Sequence, residues 1–262
     1  MLTQLTQGEC ENIGSLSDKA IFVNAAFQMQ SAYRFGGGLY YKPMIMRDEN
    51  IFIVCNDAKS FEIYSAGGLI RAEQCKNAVE MMRLLSGNNY SLFGEKETVE
   101  AVMSFESGIK CVKNVITAEL FEISEKIEIK ITDKINTEDL YELLASAEAF
   151  KNNLPEYDEF YVNIYHVKMA NGGFALGQYK DGKLVSAGLV NAISEKYALI
   201  NAVIAKKEYR NCGVGTKMLD ALIREAVVRE RIPVVRFEEE LTPFYKSRIN
   251  KYISCLLYRK MS

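Results

Sequence analysis

Apolar residues recur at two spacings along this chain, every second position and every third or fourth, and the two spacings alternate from end to end. Ile21, Phe22, Ala25 and Met29 lie on one helical face and predict a helix from about Asp18 to Tyr33, with Ser17 as its cap and Gly36-Gly37-Gly38 as its stop. Three short strands are predicted at Leu39–Met46, Ile51–Asn56 and Phe61–Ser65. Turn-like Arg47-Asp48-Glu49-Asn50 and Asp57-Ala58-Lys59-Ser60 separate them. Cys75, Val79, Met82 and Leu85 then give a helix over Ala72–Ser86, halted by Gly87-Asn88-Asn89, residue types that tolerate left-handed backbone. A strand at Tyr90–Phe93 and a helix at Glu95–Phe105 follow, and a partly extended stretch without a clear period runs to about Ser124.

Strict alternation resumes at Ile127-Glu-Ile-Lys-Ile131, which predicts a half-buried strand. Thr137 before Glu138-Asp139 marks a helix start, and Leu140, Leu143, Leu144 and Ala147 form the face of that helix. Asn152-Asn153-Leu154-Pro155 breaks it, and a second helix, Glu156–Met169, runs to Asn171-Gly172-Gly173. Strands at Phe174–Tyr179 and Leu184–Val190 flank the hairpin turn Asp181-Gly182. The strand Tyr197–Ala205 leads through a glycine-bearing turn into a helix striped by Leu219, Leu222, Ile223, Ala226 and Val227. A strand at Ile232–Phe237, the triplet Pro243-Phe244-Tyr245 and a strand at Tyr252–Tyr258 complete the order. The fold class is α/β (α+β), with strands and helices mixed along the chain. At 262 residues the chain exceeds the usual single domain, so we expect two: an α/β domain of unassigned role over residues 1–125, and a second over 126–262. No linker marks the boundary, which is placed where the strict alternation begins.

Chemistry concentrates in Arg210-Asn211-Cys212-Gly213-Val214-Gly215-Thr216, between a strand and a helix. The first-turn amides of a helix have no intrahelical partner, and the helix dipole places partial positive charge there, so the segment suits an anion. Gly213 and Gly215 have no Cβ and allow a phosphate to approach the backbone; a tight connection without a ligand fits the same spacing. The order Gly215-Thr216-Lys217 is wrong for a P-loop, and Met218 stands where a dinucleotide fingerprint needs its third glycine.

Arg-x-x-Gly-x-Gly after a strand and opening an amphipathic helix, with the strand, aromatic triplet and strand that follow, resembles the GNAT superfamily of N-acyltransferases over about residues 126–262. The resemblance implies a mixed, mainly antiparallel sheet flanked by helices, and acetyl-CoA, or another acyl-CoA, as co-substrate. Val203, Ile204 and Ala205 would offer backbone groups to the pantetheine arm. Asn211, Cys212, Gly213, Val214, Gly215 and Thr216 would cradle the pyrophosphate beside Arg210, the family's basic loop residue. Lys206 and Lys207 would steer the anionic cofactor or simply face solvent. Tyr245 stands where family members place the acid that protonates the departing CoA thiolate, and it fits equally as a packed residue of a short helix. Family members often carry Asn seven residues before that tyrosine and Gly-Phe four and five after it; here Glu238, Ile249 and Asn250 occupy those places.

Glu238, followed by Glu239 and Glu240, is a candidate base for the amine, or a charge that favours a helix start. Asn201 is the polar residue of an otherwise apolar strand and faces the cleft, packs, or sits at an exposed edge. Cys212 has no neighbouring His to activate it as a nucleophile, and His166, the only histidine, reads as a surface residue.

Composition narrows the partners. A formal net charge of −2 advertises no nucleic-acid surface. No apolar run is long enough for a bilayer, and no charged and apolar leader marks a secretory signal, so no membrane partner and a cytoplasmic location are expected. Six scattered cysteines form no C-x-x-C, so no metal is expected. The sequence reads as an N-acetyltransferase that moves an acetyl group from acetyl-CoA to a primary amine by direct attack. The acceptor would be a small molecule or a peptide, and homodimerisation is left open. A non-catalytic acyl-CoA sensor or scaffold is the second reading.

Overall fold

The computed structural model describes residues 2–6, 9, 44–57, 59–107, 111–123, 130–151, 154–170 and 173–260. The helix expected over Asp18–Tyr33, the triple glycine and most of the strand expected at Ile127–Ile131 lie outside the described residues, as does the side chain of His166. In chain order the strands and helices are β1 (Thr3–Gln4), β2 (Met44–Asp48), β3 (Ile51–Asp57), β4 (Ser60–Ser65), α1 (Ala72–Ser86), β5 (Tyr90–Glu95), α2 (Lys96–Met103) and β6 (Cys111–Leu120). Then come α3 (Thr137–Ala145), the single turn α4 (Glu148–Lys151), α5 (Tyr157–Ala170), β7 (Phe174–Lys180), β8 (Lys183–Ile193) and β9 (Tyr197–Ala205). The chain ends with α6 (Val214–Val228), β10 (Ile232–Glu238), the single turn α7 (Thr242–Tyr245) and β11 (Ile249–Lys260).

Several details depart from the pattern expected of the sequence, among them Arg47-Asp48, which continue β2 instead of turning. The stretch without a clear period holds the ten-residue strand β6. Its Val115, Thr117, Ala118 and Leu120 are buried while Val112 is half exposed, so polar and apolar residues do not alternate cleanly along it. The helix expected to start at Thr137 is capped one residue earlier, where the Asn136 side chain accepts from the Glu138 amide at 2.8 Å. Asn does this as well as Thr, and the cap falls to whichever residue precedes the first helical one.

The described chain forms two compact units. The first comprises residues 1–118, Phe237–Pro243 and Tyr252–Ser262, so the last strand closes a unit begun at the other end of the chain. Its strands run in the order β1-β2-β3-β4-β5-β11-β6. β2, β3 and β4 are antiparallel neighbours, β5 is parallel to β4, and β11 is antiparallel to β5. Alternate residues Ile51, Ile53 and Cys55 of β3 face the same core as Cys75, Val79 and Met82 of α1, which is why a period of two and a period of 3.6 meet there. Gly87 follows α1 at φ 65°, a positive φ that a side chain would strain.

One buried carboxylate ties the first unit together. Glu106, whose side chain is 0% exposed, accepts two bonds from the Arg83 guanidinium on α1, at 3.1 and 2.7 Å. It also accepts from the Tyr90 hydroxyl on β5 at 2.6 Å and from the Lys260 ammonium at the end of β11. Burial would raise its pKa, but the bonds from Arg83, Lys260 and Tyr90 outweigh that and hold it at about 2.

The second unit comprises Glu119–Arg236 and Phe244–Lys251. Its strands run β10-β9-β8-β7, antiparallel except that β10 is parallel to β9. Ala187, Leu189, Ala202 and Ile204 of β8 and β9 pack with Leu140, Leu143 and Leu144 of α3 and with Phe160 and Ile164 of α5. α6 covers the opposite face. There Gly188 lets the helix settle on the sheet, because a Cβ at that position would run into Leu222. Among the described residues no helix is long and apolar enough to cross a membrane.

Glu106 supplies a stability test. Glu106→Gln leaves Lys260 and Arg83 without their counter-charge, and breaking a buried pair from one side costs about 3–5 kcal/mol. We expect a melting temperature lower by at least roughly 6–12 °C, taking the smaller cost and the usual slope for a chain of this size. The depressed pKa sets the pH window. In the wild type this contribution is fully present above pH 4.5, the ordinary carboxyl value, and is lost as pH falls towards 2. Melts of the variant should lack that part of the acid dependence.

Candidate functional site

The site is built where β9 leaves its parallel neighbour. β9 and β10 are paired over Tyr197–Ile200 and Ile232–Val235. Beyond Ile200, β9 continues to Ala205 with no β10 partner, while its other edge stays paired with β8 as far as Ala205 and Ser186. Asn201 is an extra residue of β9 between pairs Leu189–Ala202 and Val190–Ile200, and its side chain is exposed. A second irregularity follows at once, with Asn191 the extra residue of β8. Such bulges bend a strand and leave a residue unpaired, here at the point where the two parallel strands part. Val203, Ile204 and Ala205 lie on the free stretch, so backbone groups on that edge have no sheet partner from β10.

After β9 the chain makes a short 3-10 turn, Lys207–Tyr209, before the glycines. The Lys206 amide donates to the Val185 carbonyl at 2.9 Å, and the Lys180 ammonium lies 5.3 Å from the centre of the Tyr209 ring, which anchors the turn to β7 and β8. The Arg210 guanidinium folds back and donates to the Ala205 carbonyl at 3.1 Å. Asn211 and Gly213 are both left-handed, at φ 59° and 76°. Lys207, Arg210, Asn211, Cys212 and Gly213 are exposed, and Cys212 carries a free thiol.

Gly213 is the N-cap of α6 and brings no side chain to cap it. The first turn, Val214-Gly215-Thr216, contains no acidic residue. Every other described helix of eight or more residues has one: Glu73 in α1, Glu97 in α2, Glu138 and Asp139 in α3, Asp158 and Glu159 in α5. The positive end of α6 therefore meets neither a capping side chain nor an acid of its own first turn.

Tyr245 ends α7 and packs edge-on against Phe244, with ring centres 4.8 Å apart and planes at 83°. Burial pushes its phenol up to about 12, so the hydroxyl keeps its proton throughout the neutral range. The Phe244 ring lies 3.6 Å from where a Cβ on Gly215 would stand, so this aromatic pair sits on the first turn of α6. Three residues on, Arg248 holds Asp220 of α6 with two bonds, 2.8 and 3.0 Å. The segment carrying Tyr245 is thus fixed to α6 at both ends. Glu238 lies at the end of β10, and the Lys113 ammonium holds both its oxygens at 2.7 and 2.9 Å.

With a pair of parting parallel strands, an uncapped helix start and a phenol beside it in view, the comparisons fall into place. Residues 137–247 match the family model described as Acetyltransferase (GNAT) family. Those residues form a GNAT-superfamily domain. Solved structures share the fold over nearly the whole chain. A GCN5-related N-acetyltransferase from Sphaerobacter thermophilus is 10% identical, with a TM-score of 0.66 over 99% of this chain and 95% of its own. A GNAT-family acetyltransferase from Colwellia psychrerythraea is 12% identical, with a TM-score of 0.60 over 100% of both chains. A tandem GNAT protein from the clavulanic acid biosynthesis pathway is 11% identical, with a TM-score of 0.59 over 100% of this chain and 99% of its own. The comparison with curated proteins gave no match.

Three features of the GNAT domain escaped the sequence. The Asp220–Arg248 pair spans 28 residues and has no local signal. Phe244 against Gly215 is a contact that spacing does not announce. Asn191 has a buried side-chain oxygen with no hydrogen-bond partner among the described residues, and only the bulge identifies it. Among the described residues no group of three or more His, Cys, Asp or Glu is arranged to hold a metal.

The two loop glycines should respond oppositely to alanine. Gly213→Ala forces a side chain into left-handed backbone and should destabilise by about 1–2 kcal/mol. At Gly215 a new methyl would meet Phe244 at ordinary contact distance in helical backbone, so Gly215→Ala should be neutral or stabilising by up to about 1 kcal/mol. Denaturant melts of both variants check the pair.

Proposed function

We propose that the protein is an acetyl-CoA-dependent N-acetyltransferase that acts on a primary amine by direct transfer. The observation that carries this reading is the combination, in one GNAT domain, of an unpaired β9 edge and an acid-free α6 N-terminus immediately after it. The free edge of Val203–Ala205 suits the amide-bearing pantetheine arm, which would add to it as a strand adds to a sheet. The amides of Val214, Gly215 and Thr216 suit the pyrophosphate, with Arg210, Lys206 and Lys207 adding positive charge. Its scattered cysteines favour a reducing, cytoplasmic setting.

In the reaction the amine nitrogen attacks the thioester carbonyl carbon, and backbone N–H groups of the β9 edge near Ile204 and Ala205 stabilise the oxyanion. The carbon–sulfur bond then breaks with its electron pair going to sulfur, and the Tyr245 hydroxyl gives that sulfur a proton. The nitrogen loses its proton to water. Asn201, exposed at the bulge, is the polar side chain proposed to contact the reacting groups. Most of the rate would come from orientation and preorganised dipoles.

Tyr245→Phe removes the proton donor with almost no change of shape. Acetyl-CoA affinity should stay within about twofold, while kcat should fall roughly 10²–10⁴-fold on the best amine of a panel. A Phe variant as fast as the wild type would leave Tyr245 as packing. Wild-type protein that binds acetyl-CoA yet acetylates no amine would instead favour the sensor or scaffold reading.

A further inference from the structure

Two stretches of the chain share an order of elements. Residues 44–103 run β2-β3-β4-α1-β5-α2, and residues 174–245 run β7-β8-β9-α6-β10-α7. In each, three successive antiparallel strands lead into a helix of 15 residues, and the helix returns the chain to a strand parallel to the third. The parallel pairing has the same length in both: Ser60–Ile63 with Ser91–Gly94, and Tyr197–Ile200 with Ile232–Val235. The strand-to-helix loops both carry positive-φ residues, Gly67 and Gly68 in one, Asn211 and Gly213 in the other.

The difference lies at the start of the helix. In α6 that start has neither a side-chain cap nor an acid. In α1 it is occupied by the chain itself. Glu73 supplies an acid in the first turn, and the Gln74 side-chain oxygen accepts from the Arg71 amide at 2.9 Å. Gln74 is buried, and its amide nitrogen donates to the Asp48 carbonyl at 2.8 Å and to the Asn50 side chain at 3.1 Å. The Asn50 side chain in turn donates to the Gly67 carbonyl at 2.7 Å, so the turn between β2 and β3 is folded onto the glycines. Arg71, the cation nearest this helix start, is paired with Glu49 at 2.7 Å. An incoming pyrophosphate would meet two carboxylates and would have to break the Gln74 and Asn50 bonds.

We infer that the chain is an internal pair of one fold in which the N-terminal copy's anion loop is closed by its own side chains, so that each chain takes up a single acyl-CoA. This rests on the reading of the α6 loop as the cofactor site. The test is calorimetric titration of CoA into the full-length protein and two variants. Gly215→Asp places a carboxylate in the first turn of α6, where it favours the helix and repels phosphate. Glu73→Lys reverses the charge at the start of α1. The wild type should bind one equivalent. Gly215→Asp should weaken binding at least 100-fold while its melting temperature holds, and Glu73→Lys should keep one equivalent with a Kd within about twofold. Two equivalents in the wild type, or one equivalent that survives Gly215→Asp and responds to Glu73→Lys, overturns the inference. No binding by a folded wild type would instead overturn the functional reading on which it rests, so the two failures are distinct.

Discussion

β9 and β10 share a short parallel register and then part, and the rest of the candidate site follows from that separation. A strand edge inside a folded unit must satisfy its amides and carbonyls somewhere. Past Ile200 the edge of β9 has no β10 partner to do so, and the bulges at Asn201 and Asn191 show the sheet changing register at that point. A peptide-like ligand can complete the edge. The same divergence delivers the chain to a loop whose left-handed Gly213 opens α6 without a cap, so the peptide-like edge and the anion-seeking helix start are a few residues apart in sequence. Phe244 and Arg248 then hold Tyr245 to the same helix.

Much of this was legible in the sequence because it is local. The stripe Leu219, Leu222, Ile223 and Ala226 has one physical meaning, and all four residues are buried under α6. Tyr197–Ala205 and Ala72–Ser86 have the spans their patterns predict, because each is bounded by charged or glycine residues that end a period cleanly. What could not be read is non-local. β6 hid because its polar and apolar residues do not alternate, and a strand's identity then depends on neighbours far along the chain. The return of β11 to pair with β5 is likewise invisible to spacing, since nothing local distinguishes a strand that stays in its own unit from one that closes another.

The two units deal with the same polar problem in different ways. In the first, the buried Glu106 is answered from within by Arg83, Lys260 and Tyr90, and the start of α1 by Gln74 and Glu73. In the second, the start of α6 is left unanswered by acid or cap, although it lies in a well-packed unit whose other helices α3 and α5 begin with acids. Stability alone would favour an acid there too, by a few tenths to about 1 kcal/mol. Its omission, together with the β9 edge that β10 does not pair, is the physical basis of the proposal that an anionic, peptide-like cofactor binds at this point.

Backbone hydrogen exchange with and without acetyl-CoA tests that placement most directly. The account predicts that the amides on the β10-facing edge of β9 past Ile200 and in the first turn of α6, Val214–Thr216, exchange quickly in the free protein and slow by tenfold or more when acetyl-CoA is bound, with the 66–75 segment unchanged. Binding of acetyl-CoA that leaves those amides as fast as before, or that protects the start of α1 instead, would contradict it.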